Sequence, residues 1–119
     1  MFRKGGEGMK IIYLDKTDIL EFEKQHNLEL IIYERASSTI TKLNTSRFYC
    51  CFKGSEIKES TFLTGACGNG NTLEETIRDY CYQISGKTIV LNAMSDTDRR
   101  EIQVPELTYS RELIYKLKQ

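Results

Sequence analysis

The chain has 119 residues, 39% of them hydrophobic and 29% charged, and its 17 lysines and arginines balance 17 aspartates and glutamates. That is the size of one domain with one modest core, and it is too apolar for a disordered segment. The balanced charge lacks the basic excess of a dedicated nucleic-acid binder. The longest apolar run, LELIIY at 28–33, is strand-length, far short of the ~18 residues of a membrane span. Residues 1–10 are too polar and glycine-rich for a secretory signal.

Residues 1–8 are unusual. Lys4-Gly5-Gly6-Glu7 is what a purine-rich bacterial ribosome-binding site encodes when read in frame, and Met9 follows at the distance of a start codon. A translated leader or scar without structure is therefore expected at 1–8, with a single domain over 9–119. KIIYL (10–14) predicts a short strand. Asp18 and Glu21 have capping-box spacing, and ILEFEKQH follows as a helix with Ile19, Phe22 and His26 on one side and Asn27 as a left-handed stop. LELIIYERA (28–36) alternates like a strand. SSTITKLNTS (37–46) is polar, a loop or weak strand. RFYCCF (47–52), the turn KGSE (53–56) and IKESTFLTGA (57–66) read as a β-hairpin.

The helix after Thr72 is the best defined element. Thr72 caps it, Glu75 completes Thr-x-x-Glu, and Leu73, Ile77, Tyr80, Cys81 and Ile84 form one apolar face. Gly86 ends it, with Lys87 at the negative pole. KTIVLNA (87–93), a turn at MSDTD and RREIQV (99–104) predict two more strands, and SRELIYKLK (110–118) predicts a last amphipathic helix. The order β-α-β-β-β-α-β-β-α describes an α+β domain with a mostly antiparallel sheet and a packed central helix.

GACGNGNT (65–72) approaches a phosphate-binding loop in spacing, but Asn71 stands where the lysine belongs, and Asn92 where a magnesium-holding acid would follow the next strand. The glycines read instead as a positive-φ turn from strand to capped helix. Free amides at the helix start leave anion binding physically open. Cys50, Cys51, Cys67 and Cys81 read as reduced and structural, with no C-x₂-C pair to suggest zinc. His26, the only histidine, reads as structural, and Asp96, Asp98 and Glu101 as a solvated turn rather than a metal cluster. No cofactor or metal is expected.

Residues 48–85 resemble the core of the HicB-type antitoxin family on Gly65, Cys67, Gly70 and Thr72-Leu73-Glu74-Glu75. That resemblance implies a helix packed on an antiparallel sheet and a small ribonuclease toxin as partner. The chain differs in its N-terminal β-α-β and in lacking a C-terminal helix-turn-helix. A longer pattern, from His26-Asn27-Leu28 through 68–93 to 99–107, is similar to small early proteins of phages and prophages of Gram-positive bacteria, some of which inhibit host defence, anti-CRISPR proteins among them.

No convergent acid–base pair, nucleophile or metal set is legible, which points away from an enzyme. The expected role is non-catalytic binding of a host protein in the bacterial cytoplasm: a defence factor such as a CRISPR effector, or alternatively a toxin. Arg78, Tyr82, Arg99 and Arg100 are the candidate contact residues. Nucleic acid, held through Arg99, Arg100 and Arg111, is the disfavoured partner. Strand edges at 47–52 or 99–104 offer strand addition to a partner or a second copy.

Overall fold

The computed structural model describes residues 16–36 and 46–109, together with the backbone of 117–118. The expected leader, the strand at 10–14 and most of the polar stretch at 37–46 lie outside them. The described elements are β1 (Thr17–Asp18), α1 (Ile19–Gln25), β2 (Leu30–Glu34), β3 (Phe48–Phe52), β4 (Ser55–Glu59) and β5 (Phe62–Thr64), then β6 (Gly68–Gly70), α2 (Leu73–Ile84), β7 (Thr88–Leu91), β8 (Arg100–Gln103), β9 (Leu107–Thr108) and β10 (Leu117–Lys118). They form an α+β fold. Two four-stranded sheets, ordered β10-β2-β3-β6 and β5-β4-β7-β8, are accompanied by a β1-β9 pair. Pairing is antiparallel except for β1 with β9 and β10 with β2.

Each helix begins and ends where its capping chemistry directs. Asp18 caps α1, its carboxylate accepting from Leu20 N at 2.8 Å. Asn27, at φ 54°, ends that helix in the left-handed region. Thr72 Oγ1 accepts from Glu75 N at 3.1 Å, and Glu75 Oε1 reaches back one residue beyond the cap, accepting from Asn71 N at 3.0 Å. The buried stripe of α2 is Thr76, Ile77, Tyr80, Cys81 and Ile84, while Leu73 is partly covered. Gly86, at φ 76°, turns the chain out of the helix. Lys87 gives its N–H to Ile84 O, but its ammonium goes to Glu59 at 3.6 Å.

The expected hairpin of 47–52 with 57–66 does not form. β3 lies between β2 and β6, whereas β4 pairs with β5 and β7 in the other sheet. The turn at Lys53–Gly54, with Gly54 at φ 74°, therefore carries the chain from one sheet to the other. The physical reason is at its threshold. Phe52 N donates to the Tyr80 hydroxyl at 3.0 Å, and Ser55 Oγ donates to Phe52 O at 2.7 Å, so these backbone groups are satisfied without a hairpin partner. The run 57–66 is itself broken at Ser60, φ 58°, where β4 folds back on β5. The notion of 47–52 as an open edge fails with the hairpin, because both sides of β3 are taken. The 99–104 strand does lie at an edge, as β8.

One core joins the layers. Phe48, Cys50 and Phe52 of β3 meet Ile77, Tyr80, Cys81 and Ile84 of α2, and Ile57, Ile89 and Ile102 align across the second sheet. Phe22 of α1 contacts the Phe52 ring at 6.1 Å and the His26 ring at 4.6 Å, giving His26 a packing role. The glycines before α2 have no positive φ among them, contrary to the turn expected there. They permit contact instead. A Cβ on Gly68 would lie 2.3 Å from Thr76 O and 2.6 Å from Tyr80 N, and one on Gly70 would lie 2.7 Å from Thr76 N. Strand β6 thus rests its backbone directly on the helix.

The C-terminal helix expected at 110–118 is corrected at its end. Leu117–Lys118 are extended and run parallel to Ile32–Tyr33, adding β10 to the free side of β2, while 110–116 lie outside the described residues. A strand edge of consecutive apolar residues in β2 accepts backbone pairing whatever the helical periodicity of the incoming segment.

Candidate functional site

Helix α2 positions two of the four candidate contact residues. Arg78 and Tyr82 are one turn apart on its outer side and line a cleft of about 370 Å³ between the helix and the segment 106–109. Ser85 and Glu106 line the same cleft. The segment is held in place from three directions. β9 pairs with β1, Leu107 N donates to Ser85 Oγ at 2.9 Å, and Arg78 Nε donates to Tyr109 O at 3.0 Å. Arg78 also pairs with Glu74, four residues earlier, at 3.1 Å. Its guanidinium is thus a strut that fixes the cleft wall. Tyr82 is 84% exposed and stands at the mouth. Tyr80, two residues before it, faces the opposite way and is 1% exposed.

Arg99 and Arg100 do not join this cleft. Arg99 Nη2 binds Glu101 at 2.8 Å and its Nη1 reaches Ala93 O, while Lys58 approaches Glu101 from β4 at 3.1 Å. Arg99, and then Lys58, hold the Glu101 carboxyl below its usual range. Arg100 Nη1 donates to His26 O at 3.0 Å and so ties β8 to the end of α1. Both arginines act first as intramolecular ties. The turn 94–98 is organised by Ser95, whose hydroxyl accepts from Asp98 N, and by Asn92, which donates to Asp98 O. Among the described residues no three histidines, cysteines or acids are placed to hold a metal ion.

The loop that approaches a phosphate cradle in spacing is filled from within. Asn71 N is taken by Glu75, Glu75 N by Thr72, and Asn71 Oδ1 accepts from Arg47 N at 3.1 Å. A carboxylate already sits where an anion would approach the helix start, which disfavours anion binding there.

A second group was not foreseen as a site. On the face of β2-β3-β6 turned away from α2, the Tyr33 and Tyr49 rings stack at 4.8 Å, and the Arg35 guanidinium lies 4.6 Å from the Tyr49 ring centre. Arg35 is fixed by Ser46 O at 2.9 Å and Asn69 Oδ1 at 2.7 Å. The alternation of Phe48, Cys50 and Phe52 with Tyr49 and Cys51 carries the sign of this face. What is not legible from it is the arrival of Asn69 from a glycine-flanked strand. Cys50 and Cys81 are buried thiols, the first pushed up by burial and the second pushed up, mainly by burial, to about 12.

No family model matches the chain, and neither a curated protein nor a solved structure is similar to it at a significant level. Among the described residues no helix is long and apolar enough to cross a membrane.

Proposed function

We propose that the chain is a non-catalytic protein-binding module, a phage- or prophage-type inhibitor that masks a host defence factor stoichiometrically, with a CRISPR effector as the leading target. The observation that carries the binding surface is Tyr82. It is a large aromatic side chain, 84% exposed, at the mouth of a cleft whose walls are braced by Arg78 and Ser85. Tyrosine is among the residues that dominate protein interfaces, because it offers large contact area and a polar tip with few rotors to freeze. The surrounding cleft supplies the rim polarity such an anchor needs, from Arg78 and Glu106. The identity of the target class rests on the resemblance to small phage proteins.

The test is capture by the tagged full-length chain from nuclease-treated lysate of a CRISPR-bearing bacterium, with plating of a restricted phage on cells expressing the chain. One dominant effector subunit, retained by the parent and lost with Tyr82→Ala, together with restored plating, is the expected result. Replacing Tyr82 leaves stability within about 0.5 kcal/mol, since the side chain is exposed. Capture of a small ribonuclease instead would replace this reading with toxin neutralisation. Recovery of nucleic acid alone would overturn protein masking altogether.

A further inference from the structure

We propose that Cys67 and Cys51 form a redox-responsive dithiol on the outer face of the β2-β3-β6 sheet, with Cys67 the thiol that reacts with a hydroperoxide and Cys51 the thiol that resolves it as a cross-strand disulfide. Strand register places the two opposite one another. β3 and β6 pair through Phe48↔Gly70, Tyr49↔Asn69 and Cys50↔Gly68, and one further step of that register sets Cys51 against Cys67.

The hydrogen-bond parity of the ladder makes this a close pair. Arg35 N and Lys53 N bond across to Arg47 O and Glu29 O, so the odd-numbered residues of β3, Cys51 included, direct their backbone groups towards β2. On the other side Asn69 N is taken by Asp79 Oδ2 at 2.8 Å rather than by β3. Cys51 and Cys67 therefore sit at a non-hydrogen-bonded position, where opposed Cα atoms approach to about 4.5 Å. A disulfide requires roughly 4.4–6.8 Å. Both thiols are half-buried and within reach of a small oxidant, whereas Cys50 and Cys81 are buried in the core.

The surroundings distinguish the two sulfurs. Arg35 is anchored beside Cys67 through Asn69, whose Nδ2 in turn donates to Cys67 O at 3.2 Å. The Cys51 thiol facing it, and then the Arg35 charge, bring the Cys67 thiol down from its ordinary value. The same contact, with burial, pushes Cys51 up. The facing thiol and the Arg35 charge favour the ionised form at Cys67 over Cys51, the division of labour that nucleophilic and resolving thiols need.

The Cys67 thiolate attacks the terminal peroxide oxygen. The O–O bond breaks, the leaving alkoxide takes a proton and departs as an alcohol (water, for hydrogen peroxide), and Cys67 becomes a sulfenic acid. The Cys51 sulfur then attacks the Cys67 sulfur. The S–O bond breaks, and hydroxide leaves with the Cys51 proton as water. Two thiols lose two electrons, which reduce one hydroperoxide. A small thiol reverses the bond by exchange. This dithiol stands apart from the Tyr82 cleft and does not depend on the function proposed for it.

The experiment is titration of the reduced full-length chain with hydrogen peroxide, read by intact mass, by thiol counting with iodoacetamide under denaturing conditions, and by non-reducing peptide mapping. The expected product has lost two hydrogens, joins the peptides containing Cys51 and Cys67, and returns to four free thiols with dithiothreitol. Cys51→Ser stops at a Cys67 sulfenic acid that dimedone traps. Arg35→Gln slows the first step about tenfold, whereas Arg35→Lys restores most of it. A Cys50–Cys51 bridge, a bond only between chains, peroxide-inert thiols, or dimedone labelling that persists in Cys67→Ser would overturn the assignment. The unsubstituted chain alone decides the linkage, so the outcome stands even if a variant misfolds.

Discussion

Tyr80 meets the chain where it leaves one sheet for the other. Its ring packs edge-on to Phe52 at 5.5 Å, and its hydroxyl takes Phe52 N and lies 3.3 Å from Ser55 Oγ. Removing that oxygen leaves a buried N–H without its partner, a loss of about 1–3 kcal/mol. Tyr80→Phe is therefore expected to lower the urea midpoint at unchanged slope. Burial raises the Tyr80 phenol from 10.0 to about 12, so the neutral hydroxyl is favoured in the fold. That contribution is complete below the unfolded value and fades as pH rises through the folded one. The parent should thus lose stability between pH about 10 and 12 more steeply than Tyr80→Phe, as read by denaturation at each pH. Periodicity alone made Tyr80 legible as a core residue. The hydroxyl's partner was not, because a helical face says which way a side chain points and nothing about what the neighbouring strand presents to it.

At the level of elements, the contact of β6 with α2 decides most of the architecture. A methyl group on Gly68 would overlap the backbone of Thr76 and Tyr80, which cannot give way as a flexible side chain would. Gly68→Ala is expected to cost about 3 kcal/mol or more, by pushing strand and helix apart. Gly65→Ala has open space and an ordinary φ, and should be within about 0.5 kcal/mol of the parent. Chemical denaturation of the two variants side by side checks the contrast. Both helices described here, the Asn27 stop, and β7 with β8 were legible in the sequence, since caps and alternation are local. The partner of β3 was not. Alternation marks a strand without naming its neighbour, and Gly68-Asn69-Gly70 carries residues depleted in strands, so the true neighbour of β3 gave no sign of itself. The candidate site divided the same way. Tyr82 and Arg78 share a cleft because they share a helix face, while the cleft's other wall, 106–109, comes from a segment with no local pattern.

Across the whole molecule the two sheets are not separate folding units. Their inward residues belong to one cluster with α1 and α2, Arg100 of one sheet grips the end of α1, and Val104 exchanges backbone bonds with Gly86 and Lys87 just beyond α2. The expected outcome is a single cooperative unfolding transition. Far-ultraviolet circular dichroism and tyrosine fluorescence, the latter from seven tyrosines with no tryptophan to obscure them, should give coincident curves. Separate transitions would mean that the Gly54 turn is a boundary between units rather than a bend within one.

The pairing of β1 with β9 also sets an order in time. Thr17–Asp18 find their partner strand only at Leu107–Thr108, and β2 gains its parallel neighbour only at Leu117–Lys118. Closing loops of such length costs entropy before the pairing rewards it, so these ladders are expected to form after the local helix and turn contacts, as pulsed hydrogen exchange during refolding would check. On the ribosome, the early strands emerge long before the residues that complete them. Until those follow, the open edge of β2 leaves the backbone groups of Ile32 unpaired and available to whatever binds nascent chains.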